Sequence, residues 1–332
     1  MNALVTGGGG FLGLEIVRRL RARGDTVTVL ARGDYPELAT LGARLVRGDV
    51  ADAAAVLAAA AGADIVFHVA AKAGVWGKQA DFERSNVTGT ENVLFACRAH
   101  GIPRLVYTSS PSVVFDGTDH IDVSEVPYPT RYENHYAETK ARAEKLVLAA
   151  NGPALATIAL RPHLIWGPRD PHILPRLFAR ARAGRLRIVG TGTNQVSVTY
   201  VDNGAAAHLQ AADALSPGAP CAGRAYFVND PVAVSVWPWL NALFGRLGIA
   251  PVTRRVSVGV ARAVGVVAEA VWSLFGLAGD PPMTRFVAAQ LGTSHSYDVG
   301  PAVRDFGYTP EVGPEEALDR TAAWWKDHLP PA

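Results

Sequence analysis

Cysteine is scarce in this sequence, because the 332 residues include only Cys97 and Cys221. Two cysteines so far apart provide neither a disulfide framework nor the paired spacing of a zinc or redox motif. The nine histidines also lack the spacing of metal ligands. We therefore expect buried thiols in a reducing compartment, the cytoplasm, and no bound metal.

An excess of either charge is also missing. Lysine and arginine total 32 against 30 aspartates and glutamates, which leaves a formal net charge of +2. No basic cluster is interleaved with aromatic residues, so nucleic acid is not an expected partner. The first apolar strand begins at residue 2, and we therefore expect no signal peptide.

Long hydrophobic runs are rare, and the main exception is Val256–Leu277. This segment has about the length of a membrane helix, but Arg262 and Glu269 interrupt it, so we expect no spanning segment. The first interpretation is a helix buried in the core. The alternative is an apolar wall for long acyl chains, in contact with membrane lipid.

A glycine-rich turn is present near the start of the chain. Gly7, Gly10 and Gly13 follow an apolar strand at 2–6 and precede a helical pattern, after which 26–30 forms the next strand. In a strand–turn–helix–strand unit of about 30 residues, glycines let the backbone approach a dinucleotide pyrophosphate. The N-terminus of the helix supplies N–H groups to the phosphates. The pattern therefore predicts dinucleotide binding.

The end of the second strand indicates which dinucleotide is bound. Ala31 stands where NAD-binding proteins usually carry an acidic residue, and Arg32 follows it. Because a guanidinium can hold a 2′-phosphate, we predict NADP(H). The alternative is that Asp34 binds the ribose of NAD. Asp49 follows the third predicted strand (43–47), where it could meet the adenine amino group.

Tyr136 and Lys140 are spaced as i and i+4, so a helix would place both side chains on one face. A nearby ammonium lowers the pKa of a phenol and eases proton transfer at neutral pH. An apolar strand at 105–110 ends in hydroxyl residues, and Ser110 could donate to the same substrate oxygen as Tyr136. These residues predict a proton-transfer site at the carboxyl end of a parallel strand.

These motifs resemble those of the extended short-chain dehydrogenases/reductases, in the branch that holds 3β-hydroxysteroid dehydrogenases and nucleotide-sugar epimerases. The matching stretches run in family order across nearly the whole chain. They are Thr6–Gly13, Gly48–Val50, His68–Ala71, Asn86–Asn92, Tyr107–Ser110, Tyr136–Lys140, Leu160–Pro162, Gly167–Pro168, Tyr200–Asn203 and Asp305–Pro310.

The resemblance implies that Tyr136 is the acid/base, that Lys140 is its partner and that Ser110 donates to the substrate oxygen. It places His163 near the nicotinamide. Asn86 could anchor the helix or a water in the proton relay, and the alternative is a plain helix cap. The cofactor contacts that it implies are Gly7, Gly10, Phe11, Leu12, Arg32, Asp49, Val50, Ala70, Lys140 and Pro162.

Within this branch, further stretches resemble the bacterial 2-alkyl-3-oxoalkanoate reductases of olefin biosynthesis. That resemblance implies NADPH-dependent reduction of the ketone of a long-chain ketoacid. Other enzymes of the pathway and a second copy of the chain are candidate partners. The stretches are Arg32–Pro36, Ala70–Gly74, Ser109–Val113, Leu174–Leu177 and Ala181–Leu186.

Strands and helices alternate to about residue 165, which predicts a doubly wound parallel Rossmann sheet of the α/β class. We expect the NADP-binding core to comprise 1–166 and 195–229. A smaller, mainly helical substrate lobe should comprise 167–194 and 230–332.

Three details of this organisation can be checked. The segment 195–201 should return to the main sheet. Asp202 and Asn203 should cap the helix that follows. A last short strand is expected at 225–228.

Three other functions remain open at this point. A 3β-hydroxysteroid or sterol-4-carboxylate 3-dehydrogenase would share the catalytic set and prefer NAD. A nucleotide-sugar epimerase needs a polar pocket for a uridine diphosphate group, which the apolar segment 256–277 disfavours. A non-catalytic NADP sensor of this fold would usually lack the Tyr136–Lys140 pair.

Overall fold

The computed structural model describes residues 1–330. The strands are β1 (Asn2–Thr6), β2 (Thr26–Ala31), β3 (Arg44–Arg47), β4 (Ile65–His68), β5 (Arg104–Thr108), β6 (His120–Val123), β7 (Ala156–Arg161), β8 (Ile165–Trp166), β9 (Ile188–Val189), β10 (Gln195–Val196), β11 (Thr199–Tyr200), β12 (Arg224–Phe227), β13 (Val234–Ser235), β14 (Arg255–Val256) and β15 (His295–Tyr297).

The α-helices are α1 (Phe11–Ala22), α2 (Pro36–Thr40), α3 (Ala53–Ala60), α4 (Gln79–Phe82), α5 (Gly89–His100), α6 (His135–Ala149), α7 (Leu174–Arg182), α8 (Val201–Ala214), α9 (Val236–Arg246), α10 (Val258–Phe275), α11 (Arg285–Gly292), α12 (Gly300–Phe306) and α13 (Pro314–Lys326). A π-helical turn at Glu83–Thr88 joins α4 to α5, and a 3-10 turn covers Pro111–Val113.

The main sheet contains seven parallel strands in the order β12-β7-β5-β4-β1-β2-β3. This order confirms the predicted doubly wound fold and the last strand near 225–228. The chain builds β1, β2 and β3 toward one edge and then crosses to β4 on the other side of β1. Such a reversal opens a crevice at the carboxyl ends of β1 and β4, where sheets of this kind bind ligands.

Helices cover both faces of the main sheet. On one face, α1 directs Ile16, Val17 and Leu20 into a core that it shares with α8. These residues recur at helical spacing, so one stripe of the helix is apolar. On the other face, α3, α5 and α6 pack over β4 and β5. The central strands are buried on both faces, which explains their nearly continuous apolar sequences.

The segment 195–201 does not return to the main sheet, and this prediction is wrong. Its first part, β10, lies in a second sheet of order β13-β10-β15-β6, and its second part, β11, pairs with β8. Val196, Val198 and Tyr200 alternate as in a strand and are buried beside α7, α9 and α13. Alternation predicts an extended segment, but it does not specify the partner strand.

The predicted cap of α8 is also wrong. The helix begins at Val201 without a side-chain cap, and Asn203 lies buried within its first turn. The Asn203 amide donates to Asp230 Oδ1 at 2.8 Å, and its oxygen accepts from the N–H groups of Glu311 and Val312. These partners are distant in sequence, so local spacing could not reveal them.

The interpretation of Val256–Leu277 as a core helix is wrong as well. Its helical part, α10, packs on α11 but leaves most of its apolar side chains exposed. Leu274 is 78% exposed and Phe275 is 68% exposed, so these two side chains do not wall an interior tunnel either. By length and composition alone, α10 could cross a membrane.

The proposed division into a core and a lobe stays a prediction. The packing shows that α12, which was assigned to the lobe, buries Ala302 and Phe306 in the same apolar core as α1 and α8. A separate apolar core joins α7, α9 and α13 around Trp237 and Trp325.

Candidate active site

The glycine turn is built so that a ligand can lie against backbone atoms. Gly7 has a φ of +71°, which a glycine adopts without strain, and Gly10 N donates to Gly7 O at 2.9 Å. A Cβ at Gly13 would lie 2.3 Å from Gly7 O, so no side chain fits there. The helix α1 starts directly after this turn, and the N–H groups of Phe11 and Leu12 have no partner within the helix.

A cleft of about 190 Å³ opens beside the turn, above the carboxyl ends of β1 to β4. Five of the ten predicted cofactor residues line it. Gly10, Phe11 and Leu12 belong to the adjoining turn and helix instead. The lining residues are Gly7, Leu30, Ala31, Arg32, Tyr35, Gly48, Asp49, Val50, Val69, Ala70, Ala71 and Ser85.

Arg32 is exposed at the edge of this cleft, and its side chain makes no ion pair with any residue from 1 to 330. Asp34, the alternative ribose ligand, lies 3.4 Å from Arg47 in an exposed ion pair. The guanidinium of Arg32 is therefore available to an anionic ligand, whereas Asp34 already has a cationic partner.

Tyr35 is a cleft residue that sequence reasoning missed. A Cβ at Gly9 would lie 2.4 Å from the Tyr35 ring, and one at Gly33 would lie 3.4 Å from it. The ring therefore covers the glycine turn, and Gly9 is needed to admit it. The available signal was a tyrosine four residues beyond β2 and two residues after Gly33.

The acidic end of the cleft is held in place by helix residues. Asp49 accepts from the N–H of Ala51 at 3.0 Å and pairs with Arg84 at the same distance. Asn92, on α5, donates to the carbonyl of Val50 at 2.9 Å. Asp49 and Val50 are therefore fixed by the π-helical turn and by α5.

Lys140 anchors the second half of the site. Asn134 caps α6 by accepting from the N–H of Ala137 at 2.7 Å, which places Tyr136 in the first turn and Lys140 one turn later. Lys140 is buried, and its ammonium donates to the Thr108 carbonyl at 2.6 Å. It also lies 4.1 Å from the centroid of the Tyr107 ring.

Ser110 completes this group two residues beyond β5. Its hydroxyl lies 2.6 Å from that of Ser112, and it is close enough to Tyr136 to exert a lowering effect on the pKa of that phenol. The structure thus brings together the three residues that were predicted to act in catalysis.

Burial controls the ionisation of the two α6 residues. It lowers the pKa of Lys140 to about 7, against an opposing effect of Glu144. It also raises the pKa of Tyr136, and the hydrogen bond with Ser110 only partly opposes this rise. The net effect on Tyr136 is thus opposite to the lowering expected from the Tyr–Lys spacing.

Asn86 is an anchor rather than a helix cap. It lies inside the π-helical turn, where its oxygen accepts from the N–H of Lys72 at 2.8 Å. Its amide donates to the Lys72 carbonyl at 3.2 Å and to the Thr139 hydroxyl at 3.0 Å. Asn86 therefore ties the loop after β4 to the helix that carries Tyr136.

A buried ion pair that sequence reasoning missed holds the middle of α6. Arg161, at the end of β7, donates to both carboxylate oxygens of Glu144, at 2.6 and 2.9 Å. Tyr128 also donates to Glu144 at 2.6 Å. Since Glu144 lies one turn beyond Lys140, this contact helps to hold the helix against the sheet.

The buried histidines have structural partners, as expected. His68 lies 2.7 Å from the Thr6 hydroxyl, and His208 lies 2.8 Å from that of Thr108. His163, just after the buried Pro162, lies 2.6 Å from His295. Burial keeps the pKa of His163 well below its usual value, so this imidazole is neutral at pH 7.

Comparisons with known proteins agree with this geometry. The model of the 3-beta hydroxysteroid dehydrogenase/isomerase family matches residues 4–256. A 2-alkyl-3-oxoalkanoate reductase of Stenotrophomonas maltophilia is 51% identical over 326 residues, which cover 97% of this chain and 99% of the relative. Another, of Shewanella oneidensis, is 47% identical over 331 residues, covering 97% and 86%.

A solved structure shows the same fold with a dinucleotide bound. MoeE5 in complex with UDP-glucuronic acid and NAD matches with a TM-score of 0.75 and 27% identity, covering 99% of this chain and all of that one (100%).

Proposed function

The chain belongs to the 3-beta hydroxysteroid dehydrogenase/isomerase family, and from that premise we propose that it reduces the ketone of a long-chain 2-alkyl-3-oxoalkanoate with NADPH. The protein is an oxidoreductase that acts on CH–OH or C=O groups, and its cofactor is of the NAD(P) type. The product would be the 2-alkyl-3-hydroxyalkanoate. Support for this substrate comes from the reductase that is 51% identical along nearly the whole of both chains.

The observation that carries the proposed chemistry is the grouping of Ser110, Tyr136 and Lys140 at the end of β5. Lys140 donates to the Thr108 carbonyl, and Ser110 lies close enough to Tyr136 to exert a lowering effect on the pKa of its hydroxyl. Two hydroxyls side by side can both donate to one ketone oxygen, which polarises the carbonyl.

The glycine turn and the cleft fit a dinucleotide. The bare backbone at Gly7 and Gly13 and the open N–H groups at the start of α1 suit a pyrophosphate. Asp49 and Val50 would border the adenine, and Ala70 and Pro162 would lie along the rest of the cofactor. When bound, the cofactor supplies a hydride to the ketone carbon.

NADPH is the form that we propose, because Arg32 has no protein anion to neutralise it within residues 1–330. A 2′-phosphate would accept charge-assisted hydrogen bonds from its guanidinium. Asp34, which would suit the ribose hydroxyl of NAD, is paired with Arg47.

The residues of the chain would manage the proton. Ser110 would hold the ketone oxygen while Tyr136 donates its hydroxyl proton to that oxygen. Lys140 would stabilise the resulting phenolate by its charge and help to return the proton. Its pKa of about 7 suits this task, because both of its ionisation states are accessible at neutral pH.

A substrate panel tests the proposed function. The purified protein would be mixed with NADPH and with 2-alkyl-3-ketoacids, 3-ketosteroids or UDP-sugars, while cofactor oxidation is followed and products are identified by mass spectrometry. We expect the 2-alkyl-3-hydroxyacid from the ketoacid alone. Turnover of the steroid, with no reaction of any ketoacid, would replace the proposal with the sterol alternative.

We also propose a cellular compartment and binding partners for the protein. We infer the cytoplasm as the compartment from the two unpaired cysteines, both of which are buried. Other olefin-pathway enzymes and a second copy of the chain are the partners that the proposed pathway suggests.

A further inference from the structure

The surface helix α10 carries an uncharged apolar face that residues 1–330 leave mostly exposed, with only Val271 half-buried. Its side chains recur at i, i+4, i+7, i+11 and i+14, so they form one stripe along a helix about 27 Å long. We call this stripe the α10 apolar face; its residues are Val260, Val264, Val267, Val271 and Leu274, and the exposed Phe275 extends it.

A neighbouring side of α10, roughly 100° around the helix from this face, packs on the protein. Ala261, Gly265 and Ala268 form a small-residue stripe that is buried against α11. A Cβ at Gly265 would lie 2.7 Å from the backbone of Thr284. The absence of a side chain at Gly265 therefore lets the α10 backbone pack directly against the residue before α11. A helix held in this way lies flat along the surface of the domain.

Both charges within α10 are neutralised by the protein. Arg262 pairs with Glu133 at 3.0 Å. Glu269 pairs with Arg285 at 2.7 Å and also accepts from its N–H. No unpaired charge therefore interrupts the apolar face, although the segment lies outside the core.

Arginines lie near both ends of α10. Arg254 and Arg255 directly precede α10 and make no ion pair with any residue between 1 and 330, and their strand β14 pairs with β9. The segment 176–187, which leads into β9, contains five arginines and no acidic residue. Two of them hold the segment after α10, because Arg176 pairs with Asp280 at 2.7 Å and Arg180 donates to the Pro282 carbonyl.

We propose that the α10 apolar face docks on the surface of an anionic lipid bilayer. An apolar stripe bordered by cationic side chains matches the boundary between acyl chains and negatively charged headgroups. A second copy of this chain fits less well, because a two-fold contact along α10 would bring the arginines of one copy near those of the other. This inference does not depend on the proposed reaction.

Vesicle flotation of the full chain tests the proposal. The protein would be mixed with vesicles of phosphatidylcholine alone or of phosphatidylcholine with phosphatidylglycerol. We expect binding to the anionic vesicles and little to the neutral ones. Raising the salt concentration should weaken the binding, since headgroup attraction is screened.

Two pairs of variants distinguish specific docking of α10 from nonspecific adsorption of the protein to vesicles. Val267→Glu with Leu274→Glu should weaken binding by about a hundredfold, because two apolar side chains lose their insertion. Phe95→Glu, at an equally exposed apolar residue on α5, should leave it unchanged. Arg254→Glu with Arg255→Glu should lower the affinity for anionic vesicles by at least about fivefold per arginine. Arg98→Glu on α5 should leave that affinity unchanged.

The size of the protein in solution gives the competing outcome. If light scattering shows a dimer that Val267→Glu with Leu274→Glu converts to a monomer, and anionic vesicles do not float the protein, the occupant is a second copy and the proposal is overturned. Equal loss of binding in the Phe95→Glu variant would overturn it too. Unfolding curves of each variant, matched to the parent, show that the fold is intact.

Discussion

In the proposed function, Arg32 sets the choice of cofactor because its side chain has no ion-pair partner within residues 1–330. The neighbouring acid, Asp34, is engaged by Arg47, and the preceding Ala31 is buried. The region therefore presents one cation and no available carboxylate to the 2′ position of a bound ribose. This arrangement could be anticipated from the Ala31–Arg32 pair, but the Asp34–Arg47 contact could not.

Replacement of Arg32 by alanine should reduce NADPH affinity by about 10- to 100-fold, because charge-assisted hydrogen bonds to the phosphate are lost. NADH affinity should change little. Fluorescence titration with both cofactors measures the difference. Arg44→Ala serves as the matched control, since it removes an exposed arginine of the neighbouring strand β3 that we do not place at the phosphate. Equal affinity of the unmodified protein for both cofactors would show that Arg32 has no such role.

At the scale of elements, α6 is held in its first turns and at its middle, and it carries a buried amine between these two points. Asn86 ties its first turns to the loop after β4, and Glu144 ties its middle to Arg161. Lys140 lies between these contacts, against the end of β5. The side chains that we propose as catalytic are thereby placed on a rigid helix rather than on a loop.

Loss of one partner of the Glu144–Arg161 pair should be costly. Glu144→Gln leaves the Arg161 charge buried without a counter-ion, and we expect a loss of about 3–5 kcal/mol in the free energy of unfolding. Joint replacement of both residues by leucine and methionine should recover much of this loss. Urea denaturation of the parent and of the two variants makes the comparison. If the single and double variants were equally destabilised, the pair would not be coupled.

Lys140 should also make stability depend on pH. Its pKa is about 7 in the folded protein against 10.5 as the ordinary value, so the unfolded chain binds more protons between these limits. Stability should therefore rise with pH from about 7 upward, by at most about 1.4 kcal/mol per unit. Below pH 7 the full penalty of burying the ammonium is present.

The variant Lys140→Met lacks this group, so its free energy of unfolding should gain less than that of the parent between pH 7 and 9.5. Lys145→Met, at an exposed position on the same helix, should follow the parent. Denaturation curves at several pH values supply the comparison. Parallel profiles for Lys140→Met and the parent would mean that Lys140 keeps its ordinary pKa.

At the scale of the whole molecule, local patterns predicted the parts that depend on local geometry. The bounds of β1 follow from its apolar run and from the glycines after it, and the parallel order follows from alternating strands and helices. The i, i+4 spacing of Tyr136 and Lys140 predicted that a helix carries both residues, and α6 does so. Asn203 was wrongly predicted to be a helix cap. Its hydrogen-bond partners are Asp230 and the backbone at 311–312, which are distant in the sequence.

Burial was the least predictable property of the chain. The apolar content of α10 suggests a core helix, but composition does not say which apolar helix the fold leaves outside. Likewise, the packing of Tyr35 on Gly9 depends on how β2 and the glycine turn meet in space.

The central claim is that Tyr136 gives a proton to a substrate ketone, and the variant Tyr136→Phe tests it most directly. Turnover of the 2-alkyl-3-ketoacid and NADPH affinity would both be measured in the variant and in the parent. We predict that NADPH binding survives while turnover falls by about 100- to 10,000-fold, the usual contribution of general acid catalysis. Near-normal turnover in Tyr136→Phe would contradict the account.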